Sequence, residues 1–113
     1  MKVVFSTNVD SILGTGVPIF HGKIVSNWAL TRPQAIEALQ ELLRRGVPVA
    51  GGDVYLDVDG SLSPTLDDWH CNRLRDESSE DYLIRSHRTS VNFIERYPEV
   101  KYPPLFAIVP AQC

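Results

Sequence analysis

The chain has 113 residues and a mass of 12.7 kDa, which predicts one domain over residues 1–113 and excludes a two-domain enzyme. Hydrophobic residues make up 43% of the chain and charged residues 22%, a composition typical of a globular fold rather than a disordered segment. The net charge of −3 disfavours direct binding to nucleic acid and suits a basic protein partner better.

The cysteine content and the hydropathy of the chain indicate in which cellular compartment it is expected to function. The two cysteines, Cys71 and Cys113, lie far apart in the sequence, so the chain indicates neither a disulfide framework nor a paired-cysteine zinc site. No signal-peptide segment follows Met1, and no apolar run approaches the roughly 20 residues that span a bilayer. We therefore expect a cytoplasmic protein that binds no membrane, metal or cofactor.

The first half of the chain contains one clear helix. Short β-branched and aromatic runs at residues 2–5, 17–20 and 23–25 indicate strands or extended loops. A helix is then predicted over residues 32–45, because Thr31 is a good N-cap and Gln34 completes a capping box with it. Apolar residues recur at three- and four-residue spacing in this segment, and Gly46 ends it.

The second half alternates strand and helix signals. After Gly46 the apolar period changes to two, which predicts a strand, a turn and a second strand that ends at Asp59-Gly60. Pro48 and the Gly51-Gly52 pair indicate that the first of these segments is short or bulged. Residues 61–72 have the composition of an ordered loop. A second helix is predicted from near Ser78 to Pro98, followed by a doubly buried strand over residues 105–109. This order predicts an α+β domain with two main helices packed on a mainly antiparallel sheet.

A short aspartate motif raises the possibility of an enzyme. The string from Tyr55 to Leu62 resembles the first motif of haloacid-dehalogenase-type phosphotransferases, in which Asp57 would attack phosphorus and Asp59 would handle the proton beside Mg²⁺. Only 53 residues follow Gly60, however, and they lack the later acidic cluster of that family. A β-hairpin with its turn at Asp59-Gly60 is favoured, and a small Mg²⁺-dependent phosphotransferase or phosphatase is the alternative.

Histidine, cysteine and tryptophan residues could also form a site. His70 and Cys71 are adjacent and would point to opposite faces of a strand, so we expect structural roles for the histidines and a buried Cys71. Trp28 is expected to cover the core. Trp69 is equally compatible with a core position and with an interface anchor. In the second case it would be the centre of an anionic contact surface that a basic protein could recognise. The residues of this candidate surface are Asp53, Asp57, Asp59, Asp67, Asp68 and Trp69.

Several ordered landmarks resemble a known family. They are Trp28-Ala29-Leu30-Thr31, Gly46-Val47-Pro48-Val49-Ala50-Gly51-Gly52-Asp53-Val54-Tyr55, Asp68-Trp69-His70-Cys71, and the Glu/Ser-rich helix start from Glu77-Ser78 to Tyr82. Over about residues 26–109 the chain resembles the immunity protein 40 family of bacterial polymorphic toxin systems, which include contact-dependent growth inhibition. The resemblance implies a cytoplasmic antidote without enzymatic activity, which binds the C-terminal catalytic domain of a cognate secreted toxin.

Two binding modes are compatible with this role. In one, the acidic residues occupy the positions where a nuclease toxin expects phosphates. In the other, the toxin adds a strand to an exposed sheet edge. An accessory module of an unrelated complex is a third possibility for the protein as a whole.

Overall fold

A computed structural model describes residues 3–99 and 101–111, so the expectations for Lys2 and Cys113 lie outside the described residues. The elements in chain order are α1 (Thr7–Leu13), β1 (Val17–His21), β2 (Ile24–Ala29), α2 (Arg32–Arg44), β3 (Val49–Val58), β4 (Ser61–His70), α3 (Ser79–Arg96) and β5 (Pro104–Pro110). Strands β4, β3 and β5 form an antiparallel sheet in that order, and β1 and β2 form a two-stranded ribbon. The α+β prediction is confirmed.

Helix α2 begins and ends where its capping residues predict. The Thr31 hydroxyl accepts a hydrogen bond from the Gln34 N–H, and the Gln34 side chain accepts one from the Thr31 N–H. Pro33 lies in the first turn, where a missing N–H is tolerated. At the other end Gly46 adopts a φ of +71°, the left-handed conformation that terminates helices. The predicted helix over residues 32–45 is confirmed to within one residue.

Helix α3 is also confirmed, with Ser78 as its N-cap. The Ser78 hydroxyl accepts a hydrogen bond from the Asp81 N–H, and acidic residues lie in the first turn and Arg96 in the last. The helix ends just before Pro98, which cannot continue it. Its buried stripe faces the sheet and consists of Tyr82, Ser86, His87, Ser90 and Ile94.

The hairpin between β3 and β4 corrects one prediction and confirms another. The loop predicted over residues 61–72 is wrong for residues 61–70, which pair with β3 as the edge strand β4, and right for residues 71–72. The turn itself lies at Asp59-Gly60 as predicted, with φ values of 53° and 88°. Two positive φ values define the turn geometry that matches the twist of the flanking strands. The loop prediction failed because Pro64 and the adjacent aspartates have low strand propensity.

Strand β3 is continuous, where the sequence predicts two short strands separated by a turn. It runs through Gly51 and Gly52, so the predicted turn is wrong. The register with β5 shifts between Val49 and Gly51, which is the irregularity expected of a bulged first segment. A side chain at either glycine would collide with β4, since an added Cβ would lie 2.1 Å from the Trp69 carbonyl oxygen at Gly51 and 2.2 Å from the Trp69 ring at Gly52. The glycines therefore permit close strand and side-chain packing rather than a turn.

The N-terminal region contains a helix that the sequence analysis missed. Helix α1 has seven residues, and its N-cap is Ser6, whose hydroxyl accepts from the Val9 N–H. The Asp10 carboxylate accepts hydrogen bonds from the N–H groups of Val4 and Phe5, which fixes the segment that was expected to be extended. Of the runs predicted to be strands or extended loops, residues 17–20 lie in β1 and residues 24–25 begin β2, whereas Lys23 lies in the turn between them.

Both long helices pack on one face of the three-stranded sheet. This inner face carries Val54, Trp69, Phe106 and Ile108, which form one core with the apolar stripe of α2 and with Ile94. Arg32 joins the layers by donating to main-chain carbonyls near the end of α3, including that of Tyr97 at 2.8 Å. Strand β5 is buried along almost its whole length, as predicted. Within the described residues, no helix combines the length and the apolar character that crossing a membrane requires.

Candidate functional site

Two of the candidate acidic residues lie opposite each other on the outer face of the β3–β4 hairpin. Asp53 pairs directly with Asp68 across the two strands, and both are exposed. Directly opposed residues of antiparallel strands have their Cβ atoms about 4.5–5.5 Å apart, and like charges at this spacing repel each other. Folding therefore brings these two carboxylates together on the side of the sheet that faces away from α2 and α3.

Two polar neighbours lie beside this pair of charges. Tyr55 follows Asp53 on the same face, and its pKa is raised above the usual value by partial burial and by the negative charge of Asp53. His70 lies beside Asp68 on that face, with Nε2 3.3 Å from the carboxylate oxygen Oδ1. Both residues are polar, and they extend the surface along the two strands. These four residues, Asp53, Tyr55, Asp68 and His70, form a surface that we call the outer acidic face.

The other three aspartates occupy different positions. Asp57 lies further along the outer face, but its carboxylate accepts a hydrogen bond of 2.8 Å from the Gly60 N–H and so stabilises the hairpin turn. Asp59 is at the tip of that turn. Asp67 lies at the sheet edge, where its carboxylate accepts a hydrogen bond of 2.6 Å from the Tyr97 hydroxyl. Burial, together with this hydrogen bond to a charged acceptor, raises the pKa of Tyr97.

Trp69 lies on the opposite face from the acidic pair. Its side chain is 5% exposed and stacks on Phe93 with 4.8 Å between ring centroids. The indole N–H donates a hydrogen bond of 2.9 Å to the Ser90 hydroxyl. The indole therefore packs in the core, one of the two positions expected for Trp69, and the exposed side chains next to it in β4 are those of Asp68 and His70. Trp28 is half-buried against the same core, as expected.

The phosphotransferase alternative is not supported by this geometry. A catalytic pair would require Asp57 and Asp59 to converge on a cation, whereas the first binds the turn and the second lies within it. In the part of the chain that the structure describes, no three His, Cys, Asp or Glu side chains are grouped to hold a metal ion.

The remaining titratable side chains that are buried or paired have structural roles. His87 is buried and its Nε2 lies 2.7 Å from the Val47 carbonyl oxygen, and burial lowers its pKa. Cys71 is a buried free thiol that contacts the guanidinium of Arg85. Arg85 also forms two hydrogen bonds of 2.6 Å with Glu77, whose pKa is lowered to about 2 chiefly by that interaction. This pair fixes the loop between β4 and α3.

The sequence of this chain, including the strands that carry the outer acidic face, matches one protein family. A family model described as Immunity protein 40 matches residues 14–110, which is most of the chain and includes all of β3, β4 and α3. The chain belongs to the immunity protein 40 family. It shows no match to a curated protein or to a solved structure. The immunity protein 40 family implies a partner, namely a cognate toxin protein, and suggests that the chain acts by binding rather than by catalysis.

Sequence reasoning identified the acidic residues of the site but missed Tyr55 and His70. Both could have been found by alternation. Tyr55 is two residues after Asp53, and His70 is two residues after Asp68, so each pair shares one face if both segments are strands. The loop prediction for residues 61–72 concealed this arrangement.

Proposed function

We propose that this immunity protein 40 member neutralises a cognate secreted toxin by binding the toxin's C-terminal catalytic domain in the cytoplasm of the producing cell. The observation that carries the proposal is the family match over residues 14–110. We further propose that the chain itself is not an enzyme, because the carboxylate of Asp57, the first aspartate of the phosphotransferase-like motif, is used to stabilise a hairpin turn.

We infer that the toxin contacts the outer acidic face. The opposed carboxylates of Asp53 and Asp68 repel each other in the free protein, and a cationic side chain placed between them would remove this repulsion. A nuclease is the favoured class of toxin, because its substrate site binds phosphates through basic residues, and carboxylates can occupy the same positions. Electrostatic attraction would also accelerate the encounter.

The alternative mode, strand addition at a sheet edge, is disfavoured at β4 and at β1. The free edge of β5 is already paired in part, because Leu30 and Phe106 exchange main-chain hydrogen bonds. In β4, Pro64 lacks an N–H and the register with β3 shifts between Asp53 and Tyr55. In β1, Pro18 and a register shift between Ile19 and Phe20 interrupt the free edge in the same way. Proline and bulges prevent an added strand from forming a continuous ladder. A side-chain surface is therefore the better candidate for the contact.

The proposal can be tested by growth rescue and by binding. The toxin domain encoded beside this chain is expressed in a sensitive host with and without it, and co-expression is expected to restore growth. The double variant Asp53→Asn with Asp68→Asn is expected to lower the association rate constant about tenfold at low salt, with a smaller difference at high salt. The matched control is Glu37→Gln, which removes an exposed carboxylate from α2 on the other side of the sheet.

Two results would count against these statements separately. If co-expression leaves the host sensitive, the immunity function against that toxin is wrong. If growth is rescued but the double variant and Glu37→Gln associate at the same rate, the immunity function stands and the assignment of the outer acidic face is wrong.

A further inference from the structure

Strand β4 contains a bulge whose central residue is a fully exposed leucine. Tyr55 pairs with Pro64 and Asp53 pairs with Asp68, so residues 65–67 all stand opposite the single residue Val54. The side chain of Leu66 is 101% exposed, compared with 42% to 60% for the other exposed large apolar side chains of the described residues. Leu66 therefore makes no packing contribution to the fold.

The backbone on both sides of Leu66 is held in place. The Thr65 hydroxyl donates a hydrogen bond of 2.8 Å to the Val54 carbonyl and accepts one of 3.0 Å from the Asp67 N–H. The Asp67 carboxylate is bound in turn by the Tyr97 hydroxyl. Tyr97 packs edge-to-face on the buried Phe106. A partner that contacts Leu66 would therefore have little chain entropy to remove, which favours affinity.

Protection of the sheet edge explains the bulge but not its central residue. A bulge at an edge strand opposes pairing with other chains, and charged side chains on an edge serve the same purpose. Leucine at the most exposed position of the bulge instead adds apolar surface to water. The flanking carboxylates of Asp67 and Asp68 are exposed, and Asp53 lies across the strand pair from Asp68. The result is an exposed apolar side chain on a hydrogen-bonded stretch of backbone, beside anionic groups.

We propose that Leu66 is an anchor residue that inserts into an apolar pocket of the toxin, and that Arg or Lys side chains border this pocket and face Asp67 and Asp68. The inference rests on the proposed function, and it names the chemistry of the partner surface. Protein interfaces obtain most of their binding energy from a few central side chains in well-packed pockets, surrounded by contacts that exclude water.

The charges around Leu66 favour a basic partner over a second copy of this chain. A two-fold contact through the bulge would place Asp67 and Asp68 opposite or next to their own copies, and juxtaposed like charges oppose association. A basic rim on a different protein meets the same aspartates with opposite charge. The partner is therefore expected to bind through a pocket rather than through a second convex bulge.

The test compares matched leucine variants in binding to the toxin domain that the wild-type chain neutralises. Leu66→Ala is expected to raise the dissociation constant at least tenfold, as truncation of a central interface residue typically does. Most of this change should come from faster dissociation. Its association rate should keep the salt dependence of the wild type. Leu66→Met, which conserves apolar volume, should retain most of the affinity. The control is Leu74→Ala, which shortens a leucine that is 59% exposed in the loop before α3.

The possible failures are distinguishable. If the wild type binds the toxin and Leu66→Ala changes the dissociation constant less than about twofold, the anchor inference is wrong while the proposed function stands. If Leu66→Ala instead abolishes self-association seen by analytical ultracentrifugation and leaves toxin binding intact, the occupant is a second copy and the inference is overturned. If the wild type binds no toxin, both the inference and the proposed function are wrong. Circular dichroism of each variant checks that the fold is retained.

Discussion

Replacement of Trp69 by alanine is expected to destabilise the fold rather than to act on binding alone. The indole is 5% exposed, stacks on Phe93 and donates a hydrogen bond to Ser90. Truncating a buried tryptophan to alanine costs about 3–5 kcal/mol, through lost burial and the cavity that remains. Total stabilities of domains are about 5–15 kcal/mol, so this loss is a large part of the whole.

The expected loss is large enough to be measured by thermal and by urea unfolding. In a domain of this length, each kcal/mol of lost stability lowers Tm by about 4 °C, so Trp69→Ala should lower Tm by roughly 12–20 °C. Urea unfolding followed by far-ultraviolet circular dichroism gives the free energy change directly. Phe20→Ala is the control, because that aromatic side chain is 60% exposed on the β1–β2 ribbon and its loss should cost less than about 0.5 kcal/mol.

A small effect would refute this reasoning. If Trp69→Ala lowers the free energy of unfolding by less than about 1 kcal/mol, the indole does not support the core. Reduced toxin affinity with unchanged stability would then return Trp69 to the contact surface as an interface anchor.

Three further perturbations test the packing, the loop and a helix cap. Gly52→Ala should destabilise the protein, because an added Cβ would lie 2.2 Å from the Trp69 ring and 2.5 Å from a main-chain oxygen, and urea unfolding would measure the loss. Glu77 has a pKa lowered to about 2, so its pairing with Arg85 stabilises the fold above about pH 4.5 and this contribution is lost as the pH falls toward 2. Glu77→Gln should therefore lower stability at pH 7 and flatten the acid dependence, as thermal unfolding from pH 7 to 3 would show. Thr31→Ala removes one half of the capping box and should cost about 1 kcal/mol, measured by the same urea titration.

The elements that could be predicted from the sequence are those with strong local signals. Helix α2 has a capping box and a terminal glycine, and α3 has a serine cap and a following proline. The Asp59-Gly60 turn is specified by two residues that tolerate positive φ. In each case the controlling interactions lie within a few residues of one another.

The parts that were missed depend on contacts between distant segments. Strand β4 has poor strand residues, and it is stabilised by pairing with β3 and by the burial of Trp69 between Gly52 and α3. Helix α1 has only seven residues and relies on Asp10 binding the preceding backbone. A single sequence does not show which segments will meet, so tertiary contacts overrode local propensity in both places.

The candidate site was predicted only in part, because the sequence does not show which strand residues will lie opposite each other. Acidity identified Asp53 and Asp68, but only the strand register places them opposite each other. The register also separates Trp69 from them, since adjacent residues of a strand point to opposite faces. Leu66 had no sequence signal, because its exposure follows from a bulge that the loop prediction did not contain.

Titration of the toxin's catalytic activity with this chain would test the proposed immunity function most directly. The catalytic domain of the proposed cognate toxin is assayed on its own substrate at a fixed concentration while the chain is added. We expect activity to fall linearly and to reach zero at one equivalent, as tight one-to-one inhibition requires. Undiminished toxin activity at a large excess of the folded chain would contradict the function proposed here.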